Sequence, residues 1–233
     1  MFPFQRILEC AQGLRVDYQE VLGEIAPLLT KERLQKIQQV VGHRDFGAAI
    51  VLENIYDRGN TSAVMRSAEA MGFANFHLIE TGEKFKEAKR TTAGADKWLE
   101  VQKWKSTKAC VDRLKDEGKK IYVTHLDASA IPLGEVDLTV PCALVLGNEH
   151  EGCSPEMLSA ADRKVILPMV GFVQSYNISV AGALAIQTLF QQRRAQKTSP
   201  LEVEEMEILK AVYCLRTQDS AEATLKELQR RKN

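Results

Sequence analysis

Apolar residues fall into two patterns along this chain. Short unbroken runs, such as Ala48-Ala49-Ile50-Val51-Leu52 and Cys142-Ala143-Leu144-Val145-Leu146, have the length of strands buried on both faces. Residues 75–80, 98–101, 120–124 and 165–167 read as further strands. Between the runs, apolar positions recur at helical spacing. A helix capped by Asn60 or Thr61 runs through Met71 and closes at Gly72. Another spans 106–117 and ends at Gly118. Ser154-Pro155-Glu156 opens a third with Pro at its first position, and 177–194 forms a long one. Strand and helix alternate from residue 47 to 195, which predicts an α/β domain with a mainly parallel sheet.

The flanks follow a different pattern. Residues 1–46 read as a mostly helical extension. Val21, Leu22, Ile25, Leu28 and Leu29 make one apolar stripe, broken at Pro27. Thr30 then caps a helix that buries Leu34, Ile37, Val40 and Val41 and ends at Gly42. After a linker at 196–200, residues 196–233 read as a second helical extension, with stripes over 201–215 and 220–231.

Composition narrows the function classes. At 233 residues and 45% hydrophobic, the chain can build a sizeable core. Thirty-one basic side chains balance 31 acidic ones, so any nucleic-acid surface must be local. The longest apolar window, Ile178 to Phe190, is interrupted by Ser179 and Gln187 and is too short to cross a bilayer. No charged start with an apolar signal core opens the chain, so a cytoplasmic location and no membrane partner are expected. Five cysteines form no C-x-x-C pair and no metal spacing; reduced thiols and no metal are expected.

No G-x-G-x-x-G follows the first strand, and neither a Walker loop nor a G-x-S-x-G elbow occurs, which disfavours dinucleotide enzymes, P-loop NTPases and α/β-hydrolases. Instead, three polar stretches each follow a strand. They are Asn54-x-x-Asp57-x-x-Asn60 with Arg66 beyond it, Gly147-Asn148-Glu149-His150-Glu151-Gly152, and Ser175-Tyr176-Asn177-Ile178-Ser179. Each alone is explained by turns and helix caps. Together, at the C-terminal ends of strands in an open α/β sheet, they point to one ligand site.

These stretches carry a family resemblance. NIYDRGNTSAVMRSAEAMG from Asn54 resembles motif 1 of the SpoU (TrmH-type) branch of the SPOUT RNA methyltransferases. LVLGNEHEGCS from Leu144 is similar to motif 2, and LPMVGFVQSYNISVAGA from Leu167 to motif 3. Gly94-Ala95-Asp96-Lys97-Trp98-Leu99 and the helical flanks further resemble the subgroup that methylates the ribose of guanosine-18 in the tRNA D-loop.

The resemblance implies a SPOUT-type sheet with a C-terminal deep trefoil knot, a homodimer, and S-adenosylmethionine as methyl donor. Thr124, Leu126, Gly147, Leu167, Met169 and Tyr176 would bind the cofactor. Arg66 would be the central catalytic residue, oriented by Asn60 and Glu149, with Ser175 and Asn177 shaping the site. A guanidinium stays protonated, so Arg66 is physically better suited to donate to the 2′-oxygen and its phosphate than to act as a base. Lys31, Arg33, Lys36, Arg44, Arg58, Arg230, Arg231 and Lys232 are the expected tRNA contacts. Arg58 stands where the family commonly has Pro, and Tyr176 where it commonly has Leu. The rival readings are methylation of rRNA or of another tRNA position, a non-catalytic RNA-binding relative, and a small-molecule α/β enzyme.

Overall fold

The computed structural model describes residues 4–10, 14–82, 94–196, 201–218 and 220–232. The chain divides into two units, one built from 1–44 together with 200–233, the other from 45–199. The two terminal segments therefore form one unit together.

That unit begins with β1 (Ile7–Glu9) paired antiparallel to β2 (Arg15–Asp17). This hairpin lies where a mostly helical segment is expected from the sequence. Each strand buries a single apolar residue, Leu8 opposite Val16, which is too little to register as a two-residue period. α1 (Tyr18–Glu24) follows, capped by the Asp17 carboxylate on Gln19 N at 2.8 Å. Pro27 sits in a 3-10 turn, Ala26–Leu28, because it has no N–H with which to continue α1. Thr30 caps α2 (Lys31–Val41).

The second unit runs β3 (Asp45–Glu53), α3 (Arg58–Ala70), β4 (Phe73–Ile79), β5 (Glu100–Trp104), α4 (Thr107–Asp116), β6 (Lys120–Thr124), β7 (Ile131–Pro132), β8 (Cys142–Leu146), α5 (Pro155–Ala160), β9 (Arg163–Ile166) and α6 (Ile178–Ala195). The strand read at 98–101 begins two residues later, after a 3-10 turn at Asp96–Trp98. Finally, α7 (Val203–Thr217) and α8 (Ala221–Lys232) belong to the first unit, where α1 and α2 pack on α7.

Seven strands form one sheet in the order β5-β4-β3-β8-β6-β9-β7, and every pair is parallel. Alternation along β3 and β8 divides the core between two faces. Ala48, Ile50, Leu52, Cys142, Leu144 and Leu146 pack with Val64 and Met65 of α3 and Ile186 and Leu189 of α6. Ala49, Val51, Ala143 and Val145 pack with Cys110, Leu114 and Met157 of α4 and α5. Burial on both faces explains the unbroken apolar runs. Each fully buried Ile or Leu contributes roughly 1.5–3 kcal/mol.

Two contacts fix α6. Gly182 approaches α3 so closely that a Cβ there would lie 2.7 Å from Val64 Cγ2. At its other end, buried Arg193 donates from Nε to Asp45 Oδ2 at 2.6 Å and from Nη1 to the carbonyls of Leu138, Thr139 and Val140, each at 2.9 Å. A buried guanidinium survives only with such partners, and removing Asp45 would cost about 3–5 kcal/mol. Arg193 thus ties the last helix of the unit to the start of β3 and the approach to β8.

Candidate active site

β3 and β8 are neighbours, yet the chain leaves them in opposite directions, from β3 toward β4 and from β8 toward β9, so their following loops diverge. A cavity of about 540 Å³ opens beside them. Three segments line it: residues 124–126 after β6, 147–152 after β8, and 165–181 from β9 into α6. Thr124, Leu126, Gly147, Leu167, Met169 and Tyr176 are all in that lining, as are Glu149, Ser175 and Asn177.

Gly147 ends β8 under the backbone of its own loop. A Cβ there would overlap Cys153 N and the Gly152 carbonyl carbon, so the loop folds this tightly only over glycine. Asn148 pins the loop. Its Oδ1 accepts from His150 N at 2.8 Å and Glu151 N at 3.1 Å, and its backbone pairs with Gly152 in both directions. Its Nδ2 reaches across to donate to Asn54 O at 2.6 Å.

Asn54 takes a left-handed φ of 54° at the end of β3, which turns the chain sharply. Its Oδ1 accepts from Thr81 N and Oγ1. Glu149 holds the next residues: its carboxylate accepts from Tyr56 N at 2.9 Å, Asp57 N at 3.4 Å and Asn60 Nδ2 at 2.9 Å. Partial burial works against ionisation, but these donors outweigh it and hold the Glu149 carboxyl below its ordinary pKa. Because Asn60 is turned toward Glu149, the cap of α3 passes to Asp57, whose Oδ1 accepts from Gly59 N at 2.6 Å. The helix therefore begins at Arg58, earlier than a cap at Asn60 or Thr61 would allow.

Glu53 carries no role in the sequence reading, and Asn148 enters it only within the stretch 147–152. Buried Glu53 accepts from Thr107 Oγ1, Ser154 N and Ser154 Oγ at 2.7–2.8 Å, tying the end of β3 to the starts of α4 and α5. An acid ending an apolar run was the available signal.

Arg66 is exposed on α3, and its side chain makes no hydrogen bond or ion pair among the described residues. The structure joins Asn60 to Glu149 and joins neither to Arg66. Asn177 lines the cavity and also caps α6, accepting from Ser179 N at 2.9 Å. Arg58 lies 3.8 Å from Glu80, with its side chain partly exposed.

In the other unit, Lys31, Arg33 and Lys36 are exposed on α2. Arg44, expected as a tRNA contact, is corrected: it is 3% exposed, its Nε donates to Tyr213 Oη at 2.9 Å, and its guanidinium lies over the Tyr213 ring. The aromatic ring and hydroxyl enclose that charge and withhold it from a phosphate. The side chains of Arg230, Arg231 and Lys232 lie outside the described residues. So does part of the loop read at 91–96.

Among the described residues no cluster of His, Cys, Asp and Glu could hold a metal ion, and no helix is long and apolar enough to cross a membrane. All five cysteines are free thiols, and burial pushes Cys110 and Cys142 up to about 12.

Comparisons agree with this geometry. Residues 47–187 match the family described as the SpoU rRNA Methylase family. The tRNA (guanosine(18)-2′-O)-methyltransferase of Borreliella burgdorferi is 36% identical over 173 residues, 74% of this chain and 79% of that protein. The protein of the same name from Escherichia coli K12 is 32% identical over 70% of this chain and 71% of its own. The crystal structure of the TrmH/SpoU tRNA modifying enzyme of Aquifex aeolicus superposes with a TM-score of 0.70 at 30% identity, covering 78% of this chain and 96% of that one.

Proposed function

Because the chain belongs to the SpoU rRNA methylase family, we propose that it transfers a methyl group from S-adenosylmethionine to the ribose 2′-oxygen of guanosine-18 in tRNA. The observation that carries this reading is the cavity itself. Motifs 2 and 3 line it together, and motif 1 is bound to it through Glu149 and Asn148. The relatives named for guanosine-18 methylation supply the substrate.

The cavity suits the donor chemically. Its volume falls in the range of small-molecule sites, and its lining mixes apolar side chains with backbone groups at strand ends. The tight turn at Gly147 keeps side-chain atoms out of the backbone surface there. Thr124, Leu126, Gly147, Leu167, Met169 and Tyr176 would hold the cofactor, which supplies a methyl group already activated on a sulfonium.

The protein's task is to position the nucleophile. Arg66, charged and without a partner among the described residues, donates to the 2′-oxygen and the adjacent phosphate and stabilises the negative charge as it develops. Glu149 and Asn60 keep the motif 1 loop in register with the cavity. Ser175 and Asn177 set the cavity wall where motif 3 enters α6. Exposed Lys31, Arg33 and Lys36 and partly exposed Arg58, with Arg230, Arg231 and Lys232, are the proposed phosphate contacts.

The trefoil knot belongs to this proposal. Its support is the likeness of residues 167–183 to motif 3 of the family, for which the fold implies a threaded C-terminal segment. A homodimer is supported by exposed Val170, Phe172 and Val173, continued by Val180 and Leu184 on α6, an apolar surface that association would cover. We place the enzyme in the cytoplasm, with its RNA.

The test uses labelled S-adenosylmethionine with a tRNA transcript, its guanosine-18 substituted counterpart, and ribosomal RNA. The reading requires label on the first alone, mapping to the ribose of nucleotide 18. Label on ribosomal RNA, or label retained after substitution, overturns the assigned substrate.

A further inference from the structure

His150, in the cavity lining, and Tyr56, beside it on the loop after β3, form an aromatic pair that the methyl-transfer machinery does not use. Tyr56 is 72% exposed, although its backbone is firmly held: its N–H donates to the Glu149 carboxylate at 2.9 Å. His150 is exposed as well, lines the cavity, and is fixed by Asn148 Oδ1 on its own N–H at 2.8 Å. The two rings meet edge to face, with centroids 6.4 Å apart and planes at 70°. One wall of the pair comes from motif 1 and the other from motif 2, so the carboxamide–carboxylate network that shapes the site also sets the rings.

We propose that Tyr56, flanked by His150, is the stacking platform for the base of the nucleotide being methylated. This rests on the RNA-methyltransferase reading above. Turning the nucleotide out of the stack lets its ribose reach a recessed donor, as base-modifying enzymes turn out their targets. An unstacked base loses its π-contacts, and proteins commonly replace them with an aromatic side chain. Tyr56 offers a ring face to solvent on a backbone already ordered, so little conformational entropy is lost when a base lands on it. The perpendicular His150 ring closes the platform on the cavity side, leaving the sugar to project toward the donor. The bound species is a purine nucleoside within RNA; the ring face serves for stacking and leaves the base edges to be read elsewhere.

A thermodynamic cycle tests the pairing by equilibrium binding, independently of catalysis. Wild type and Tyr56→Ala are titrated with the tRNA transcript and with the same transcript made abasic at position 18. Stacking on an aromatic ring makes a difference of roughly 5- to 150-fold in affinity. The expected result is a loss of about 10-fold or more for either change alone, with no further loss when they are combined. Tyr56→Phe keeps the face and retains wild-type affinity, while His150→Ala shows a smaller loss. S-adenosylmethionine affinity stays unchanged in both Tyr56 variants, because Tyr56 lies outside the cavity lining. Losses that multiply independently, or none in Tyr56→Ala, overturn the inference. If wild type methylates guanosine-18 and the cycle shows no coupling, the platform is wrong and the function stands. If the cycle couples but no methyl is transferred, the function is wrong, and only the stacking of nucleotide 18 on Tyr56 stands.

Discussion

Glu149 accepts a hydrogen bond from Asn60 Nδ2 at 2.9 Å across 89 residues of sequence, joining the loop after β8 to the first turn of α3. The same carboxylate holds Tyr56 N and Asp57 N, so a single side chain anchors the second half of the β3–α3 connection.

Removing that carboxylate should cost activity more than stability. Hydrogen bonds to a charged group are worth about 1.5–3 kcal/mol each. Glu149→Ala is expected to lower kcat/KM for tRNA by roughly 10- to 100-fold, since the loop that presents motif 1 loses its anchor. Asn60→Ala loses one of the three bonds and falls less. The double variant falls no further than Glu149→Ala, because both changes break one network. Steady-state methyl transfer on the four proteins reads this directly; independent losses would show that the two residues act separately.

Arg66→Ala should remove methyl transfer while sparing the donor site. Loss of a charge-stabilising donor typically reduces kcat by about 100- to 1000-fold. Arg66 lies outside the cavity lining, so calorimetric affinity for S-adenosylmethionine is expected to hold within about twofold. Full turnover in this variant would remove Arg66 from the mechanism.

Gly147→Ala should have the opposite signature. Its new methyl overlaps Cys153 N and the Gly152 carbonyl carbon, which are backbone atoms and cannot rotate aside. Overpacking of this kind costs about 1–3 kcal/mol, and here the strain falls on the cavity wall. Donor affinity should drop by at least about 10-fold, with tRNA affinity retained. Unchanged calorimetric titrations with S-adenosylmethionine would show that the turn relaxes.

His77 predicts a pH dependence of stability. It is fully buried, Trp104 Nε1 donates to its Nδ1 at 3.0 Å, and its Nε2 lies 2.9 Å from Asn75 Oδ1, so the neutral Nε2–H tautomer satisfies both neighbours. Burial lowers its pKa to about 4; Glu117 opposes this, and Lys119 and Arg113 add to it. The unfolded chain takes up the proton near the ordinary value of 6.5 and the folded one does not. Stability is therefore complete above 6.5 and falls as pH drops toward 4, by roughly 3 kcal/mol at most. Urea denaturation at a series of pH values would show this slope, and His77→Gln should flatten it. An equal slope in both proteins would assign the loss to other groups.

Much of the catalytic unit was legible before folding. The runs over β3 and β8 are continuous because parallel strands covered on both faces have no polar side, so pattern alone located them and the fold class. The second and third motif stretches fall in the cavity lining, since glycine, asparagine and serine at strand ends mark where backbone must turn sharply, while the first lies outside it. The hairpin β1–β2 escaped notice because one buried residue per strand leaves no period to detect. Arg44 looked like any other basic residue until Tyr213, 169 positions away, enclosed it.

What the sequence determined by itself, then, was carried by neighbours: the buried runs of β3 and β8, the caps at Thr30 and Ser154, the break at Pro27, and the family. What only the tertiary structure decided was which polar groups meet. Asn60 could cap its own helix, and instead binds Glu149. Asn148 could close its own turn alone, and also holds Asn54 O. Those choices follow from strand order, which sets β3 beside β8 although 88 residues separate their ends, and no local period encodes which strands become neighbours.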